Sequence, residues 1–132
     1  TVNDTYGHQA GDKVLRSVAQ LLVGSVRDAD IVGRYGGEEF VIIFPGLDET
    51  GAKLVCTRVL DSIRHATYDL GGAVITATAS LGLATLDPQA PFTGVAKLVH
   101  AADMAVYAAK HAGRNRVETF RPVAQDRSAL AG

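Results

Sequence analysis

The apolar residues of this chain fall into helical stripes and short continuous segments. Positions with a helical period predict three amphipathic helices, at about residues 11–24, 49–65 and 94–111. Short apolar segments predict strands, at about residues 30–34, 39–44, 73–86 (one bent strand or a pair) and 115–119. This order predicts an α+β domain with helices packed on a mostly antiparallel sheet. We assign the domain to residues 1–120 and a tail or linker to residues 121–132.

Composition and charge narrow the classes of function. The chain has 132 residues, 47% of them apolar, enough for the core of one globular domain. Its formal net charge of −1 gives no positive field for nucleic acid, so we expect no DNA or RNA partner. Cys56 is the single cysteine, which excludes an internal disulfide and indicates a reducing compartment. No apolar run of membrane-spanning length and no signal peptide occur, so we expect a cytoplasmic domain whose parent protein provides any membrane anchor.

Residues 34–40, RYGGEEF, contain the most informative chemistry of the sequence. Apolar segments on both sides of Gly36 and Gly37 predict a β-hairpin whose two turn residues are glycines with positive φ. Neighbouring strand residues face opposite sides, so Glu38 and Glu39 are expected to have different roles. One can bind a hard cation while the other fixes the hairpin or faces substrate, and the glycines let phosphate oxygens approach the backbone. The alternative is a charged turn exposed to solvent.

The sequence contains three further motifs, at residues 3–12 (NDTYGHQAGD), 78–82 (TASLG) and 102–115 (ADMAVYAAKHAGRN). Together with RYGGEEF, they resemble the motifs of the GGDEF family, the diguanylate cyclases, in order and spacing over roughly 120 residues. The resemblance implies the palm-like, ferredoxin-like fold shared with nucleotide cyclases. It also implies an enzyme that joins two GTP molecules into cyclic di-GMP with Mg²⁺ or Mn²⁺, between the two facing domains of a homodimer.

The resemblance gives roles to individual residues of these motifs. It makes Glu38 the metal ligand, and it makes Glu39 the residue that positions or activates the attacking hydroxyl. Asn3 and Asp12 take the positions that read guanine, whose N1–H and N2–H₂ groups donate to a carboxylate or amide oxygen. From the residues alone, Asn3 could also be a turn residue and Asp12 the N-cap of the first helix.

The resemblance to the family also includes basic residues near the end of the third predicted helix. Lys110 and Arg114 flank Gly113, which is a predicted left-handed cap. The resemblance implies that both side chains contact the β- and γ-phosphates of GTP. From the residues alone, they could instead be cations that complement the helix dipole. Arg116 lies beyond the motif and is expected to be a surface charge.

Arg27 and Asp30 form an R-x-x-D pattern, at the distance from the glycine pair that the family's inhibitory product site shows. Arginine suits such a site because its planar fork pairs with phosphate and stacks on guanine, and Asp30 would accept from the guanine edge. Arg58 resembles the supporting arginine of that site. The alternative for Arg58 is a solvated helix face.

The family's opening strand, with a metal-binding aspartate and a phenylalanine–lysine pair after it, is not among these residues, which begin at Thr1. We therefore expect this chain by itself to turn over GTP slowly or not at all, while still binding cyclic di-GMP. The missing central strand also predicts open sheet edges, on the strand near residues 40–44 and on either the strand near 76–83 or the closing strand. We expect copies of the chain to associate through such an edge.

Two other functions stay open at this point. One is a catalytically silent receptor for cyclic di-GMP, built on Arg27, Asp30 and Arg58. The other is a nucleotide cyclase or polymerase palm that acts on a different triphosphate. Asn3 and Asp12, which match guanine, argue against adenine.

Overall fold

The computed structural model describes residues 7–86 and 94–121, and it divides into two compact units, residues 1–79 and 80–132. The first unit contains helix α1 (His8–Ser25), strands β1 (Ile31–Gly36) and β2 (Glu39–Ile43), helix α2 (Glu49–His65), and strands β3 (Tyr68–Asp69) and β4 (Val74–Ile75). The second contains β5 (Ser80–Leu83), α3 (Val95–His111) and β6 (Arg116–Thr119). Asn3, the side chain of His8, residues 87–93 and the tail after Arg121 lie outside the described residues.

The core of the first unit is built on α1 and α2, which pack against each other. Val14 and Leu22 are buried on α1, and five residues of the predicted stripe are buried on α2, namely Ala52, Cys56, Val59, Leu60 and Ile63. Burial raises the pKa of the Cys56 thiol to about 11, so this thiol stays protonated at neutral pH. Helix α2 begins where the sequence predicted, because Asp48 Oδ1 accepts a hydrogen bond from the Gly51 N–H at 2.8 Å and caps it.

Strands β1 and β2 form the predicted antiparallel hairpin. Arg34 lies opposite Phe40, and Gly36 lies opposite Glu39. Tyr35 is therefore an extra residue that forms a β-bulge, and its side chain is exposed.

The bulge moves the turn one residue along the chain. The turn residues are Gly37 and Glu38, and of the two glycines Gly37 alone has a positive φ, 33°. The prediction of a turn with positive φ at both glycines was wrong. Gly36 is instead the last residue of β1, because the extra residue in the bulge shifts the strand pairing.

The second unit is a β-α-β arrangement in which β5 and β6 run parallel and α3 packs on both. The closest approach is at Gly82, where an added Cβ would stand 2.1 Å from the carbonyl oxygen of Ala102 and 2.4 Å from the nitrogen of Val106. The buried face of α3 consists of small residues, Ala101, Ala105 and Ala109. Packing therefore explains the glycine of the TASLG motif, because a residue without a side chain lets the helix backbone approach the strand.

The mixture of helices and short strands confirms the α+β class. The strands of the described residues form three two-stranded sheets, two antiparallel and one parallel. The apolar segment predicted at 73–86 divides into β4 and β5. Strand β3 was not predicted, because two residues carry no readable period.

We expect copies of this chain to associate through β2. This strand pairs on one side with β1, and no described strand of its own unit pairs with the other side. A row of unpaired backbone groups is a template for a strand from a second copy. Sedimentation should therefore show dimers or larger species at low micromolar concentration.

The matched variant is Ile43→Lys, at a side chain that is 43% exposed at the end of β2. A lysine on an edge strand discourages pairing, so this variant should sediment as a monomer. A wild-type chain that stays monomeric at tens of micromolar would contradict the prediction.

Candidate active site

The tip of the β1–β2 hairpin presents two adjacent carboxylates. Glu38 is the second turn residue and Glu39 is the first residue of β2, so they differ in backbone environment as the sequence suggested. Both are exposed, and neither side chain has a hydrogen bond or ion pair with a described residue. The Glu39 side chain therefore makes no hydrogen bond that holds the hairpin turn in place. The Arg34 side chain makes such bonds, because it donates to the Gly37 carbonyl oxygen from Nε at 3.1 Å and from Nη2 at 2.6 Å.

The hairpin residues fit a metal ion that is shared with a phosphate ligand. Mg²⁺ is usually bound by one or two carboxylates together with phosphate oxygens and water. Glu38 and Glu39 offer unpaired carboxylates, and the described residues contain no group of three or more His, Cys, Asp or Glu that could hold a metal. The donor set thus suits a metal that arrives with a nucleotide, rather than a cage made of protein ligands.

Asp12 lies within α1 rather than at its start. The helix begins at His8, after Gly7, and no side chain caps it. The alternative of Asp12 as an N-cap was wrong, because the Gly11 N–H already donates to the Gly7 carbonyl oxygen at 3.1 Å and extends the helix towards its N-terminus. Asp12 is exposed and pairs with no described residue, so its carboxylate can accept hydrogen bonds from a ligand.

Lys110 and Arg114 stand on either side of the end of α3, in the second unit. Both are exposed. Gly113 has the predicted positive φ, 121°, and the Arg114 N–H closes the helix by donating to the Ala109 carbonyl oxygen at 2.9 Å. Arg114 and Asn115 also have positive φ, 61° and 50°. A residue with a side chain adopts this left-handed conformation at a cost of roughly 1–2 kcal/mol, so contacts with neighbouring residues must stabilise the segment.

Arg116 supplies part of that support, and the sequence did not identify it. Its Nε donates to the Arg114 carbonyl oxygen at 3.2 Å. Its Nη2 lies 2.9 Å from the place where a Cβ on Gly113 would stand, so the guanidinium covers the glycine. The prediction of a simple surface charge was therefore incomplete. An arginine soon after a helix-ending glycine was the one available signal.

Arg27 and Asp30 are paired with each other in this structure. The Asp30 carboxylate accepts hydrogen bonds from the Arg27 backbone N–H at 2.8 Å and from its Nη2 at 2.6 Å, and the Asp30 side chain has no exposed surface. These hydrogen bonds lower the pKa of Asp30 and raise that of Arg27. Arg27 Nη2 also donates to the Pro45 carbonyl oxygen at 2.7 Å. A guanine that bonded to Asp30 would have to open this pair.

Arg58 contacts the end of α1, just before the connection to β1 that contains Arg27 and Asp30. Its Nη2 donates to the Ser25 carbonyl oxygen at 2.8 Å, two residues before Arg27. An open groove of about 450 Å³ runs along α2 past Arg58, lined also by Leu54, Thr57, Asp61, Ser62 and His65. The structure thus brings the three residues of the predicted inhibitory site to one region of the first unit.

No helix in the described ranges is both long and apolar enough to cross a membrane.

Known proteins resemble this chain in sequence and in fold. A family model described as "Diguanylate cyclase, GGDEF domain" matches residues 1–116. Diguanylate cyclase A of Treponema denticola is 37% identical over 116 residues, which cover 88% of this chain and 31% of that protein. The chain spans between 11% and 31% of the length of the first curated relatives that it matches.

Solved structures give the same result. The GGDEF domain of PA1120 from Pseudomonas aeruginosa superposes with a TM-score of 0.84 at 33% identity, covering 92% of this chain and 75% of that one. The GGDEF domain of DgcB from Caulobacter crescentus, solved in complex with c-di-GMP, superposes with a TM-score of 0.73 at 31% identity, covering 89% of this chain and 68% of that one. These likenesses confirm the predicted palm-like α+β fold. The chain belongs to the GGDEF family of diguanylate cyclase domains.

Proposed function

We propose that this domain makes cyclic di-GMP from two molecules of GTP, as one half of a homodimer in which each domain holds one nucleotide. The observation that carries the proposal is the hairpin tip, where Glu38 and Glu39 are exposed next to a glycine turn and have no side-chain partner among the described residues. The diguanylate cyclases that resemble this chain support the choice of GTP. GTP as substrate also supports a cytoplasmic location for the domain.

The reaction needs positioning and charge neutralisation more than covalent chemistry. The 3′-hydroxyl oxygen of one GTP bonds to the α-phosphorus of the other, the bond from that phosphorus to the leaving pyrophosphate breaks, and the hydroxyl proton passes to a base. A bound Mg²⁺ or Mn²⁺ supplies positive charge beside the phosphates. Glu38 would hold this ion, and Glu39 would orient the hydroxyl or accept its proton.

The other proposed residues bind the nucleotide. Gly36 and Gly37 have no side chains, so phosphate oxygens can approach the hairpin backbone. Asp12 would accept hydrogen bonds from the guanine edge, a role that we also propose for Asn3. In the second unit, Lys110 and Arg114 are proposed contacts of the β- and γ-phosphates. Arg114 is suited to this role because its exposed guanidinium can donate two parallel hydrogen bonds to phosphate.

Incubation with GTP and Mg²⁺ or Mn²⁺, followed by chromatography, tests the proposal. The complete protein that contains this domain should make cyclic di-GMP from GTP. A parallel incubation with ATP tests the alternative of another triphosphate. Product from ATP, or no product from GTP in the complete protein, would contradict the proposal.

Binding of cyclic di-GMP at Arg27, Asp30 and Arg58 is a second candidate function, either as product inhibition or in a silent receptor. The hydrogen bond from Arg58 to the Ser25 carbonyl oxygen, two residues before Arg27, favours it. DgcB, a relative of similar fold, was solved with c-di-GMP. A receptor would bind cyclic di-GMP without converting GTP, whereas a product-inhibited cyclase would do both.

We expect Arg27→Ala to weaken binding of cyclic di-GMP by this chain roughly 10- to 100-fold, the effect of losing a charged hydrogen bond to phosphate. Calorimetric titration measures it. The matched control is Arg16→Ala, which removes another exposed arginine of the first unit, on α1. The control should bind like the wild type. Equal affinity of the Arg27→Ala variant and the wild type would show that the site lies elsewhere.

A further inference from the structure

Arg34 holds the turn that carries Glu38, and none of the roles described above includes it. From β1 its guanidinium reaches across the hairpin tip, so that Nε and Nη2 both donate to the carbonyl oxygen of Gly37, at 3.1 and 2.6 Å. An arginine side chain is a charged donor, so these bonds are stronger than neutral ones of the same length. They connect a strand residue to the centre of the turn.

The bonded oxygen belongs to the peptide that joins Gly37 to Glu38. A trans peptide is planar, so an arginine that fixes the direction of its C=O also fixes the direction of the Glu38 N–H, which points the opposite way. Gly37 has a φ of 33° and Glu38 does not have a positive φ. A positive φ at the first turn residue alone is the signature of a type II′ turn. Rotation of this peptide leads towards a type I′ turn, which needs a positive φ at Glu38 as well.

We propose that Arg34 is a positioning residue for Glu38: it selects the type II′ turn and thereby sets the direction in which the Glu38 carboxylate leaves the hairpin. This inference rests on the proposed function, in which Glu38 binds the metal ion. The planar fork of arginine suits the task, because two of its donors reach one oxygen in a fixed geometry. The ammonium of lysine is a single point of attachment on a flexible stem.

The chain offers a matched control on the facing helix. Arg34 lines a groove of about 230 Å³ together with Phe40 of β2 and with Leu15, Arg16, Ala19 and Val23 of α1. Arg16 is an exposed arginine of the same groove, and it makes no hydrogen bond to the turn. Arg16→Ala therefore removes the same charge from the same surface and leaves the Gly37 peptide untouched.

The first test is made on this chain by NMR. The three-bond coupling between the amide and α protons of Glu38 reports its φ. In Arg34→Ala this coupling and the chemical shifts of Gly37 and Glu38 should change, and in Arg16→Ala they should match the wild type. A wild-type coupling in Arg34→Ala would overturn the inference, whether or not the protein is active.

The second test measures steady-state kinetics in the complete protein that contains this domain. Arg34→Ala should lower kcat on the order of 10-fold, the scale of one lost charged contact, and leave KM within about threefold. Arg34→Lys should stay close to Arg34→Ala, because lysine cannot hold the peptide plane. Recovery of kcat by lysine, or a rise in KM at unchanged kcat, would mean that Arg34 acts as a charge on the substrate and would overturn the inference. If the wild type makes no cyclic di-GMP, the proposed function fails and the catalytic role of Arg34 with it, while the coupling of Glu38 still decides the turn.

Discussion

Glu38→Gln should abolish cyclic di-GMP synthesis in the complete protein that contains this domain. Glutamine keeps the size of the side chain and one oxygen, but it removes the negative charge that a hard divalent cation requires. Glu38 is the proposed ligand of this cation, and the described residues contain no group of three or more His, Cys, Asp or Glu that could replace it. The loss of one carboxylate should lower kcat by about 100-fold or more, as does the loss of other groups that stabilise transition-state charge.

The measurement is the initial rate of product formation at saturating Mg²⁺, resolved by chromatography. Asp69→Asn is the matched control, because it also removes one exposed negative charge and keeps the oxygen that accepts from the Gly71 N–H at 3.0 Å. This control should retain wild-type activity. Binding of cyclic di-GMP should be unaffected in both variants. A Glu38→Gln variant with activity within a few-fold of the wild type would rule out Glu38 as the metal ligand.

Gly82→Ala should destabilise the second unit strongly. A methyl group at this position would lie 2.1 Å from the carbonyl oxygen of Ala102 and 2.4 Å from the nitrogen of Val106. Both are backbone atoms of α3, so the helix as a whole must move away from β5. Overpacking of this kind usually costs about 1–3 kcal/mol, and the upper end is expected where no flexible side chain can give way.

Urea denaturation of the two variants gives the difference in the free energy of unfolding. Gly33→Ala is the control, because Gly33 also lies in a strand, has no positive φ, and has open space where the methyl group would stand. It should be neutral or slightly stabilising, since alanine restricts the unfolded chain more than glycine does. Equal stability of the two variants would mean that α3 does not lie on Gly82.

The sequence determined the elements whose signals come from neighbouring residues. Helix α2 occupies the predicted range, because its apolar stripe and the Asp48 cap are both local. The hairpin was predicted for the same reason, and its two carboxylates identified the candidate site. The positive φ of Gly113 was predicted from the sequence signals that end a helix.

The tertiary structure decided the features that depend on contacts across the chain. The bulge at Tyr35 moves the turn to Gly37 and Glu38, because the register depends on how β1 pairs with β2. Asp30 is enclosed by Arg27, whose guanidinium also reaches Pro45, a residue distant in sequence. The contact between Arg34 and Gly37 likewise exists only once the hairpin has closed. Spacing along a chain predicts which residues share a face, but which donor meets which acceptor is decided by packing.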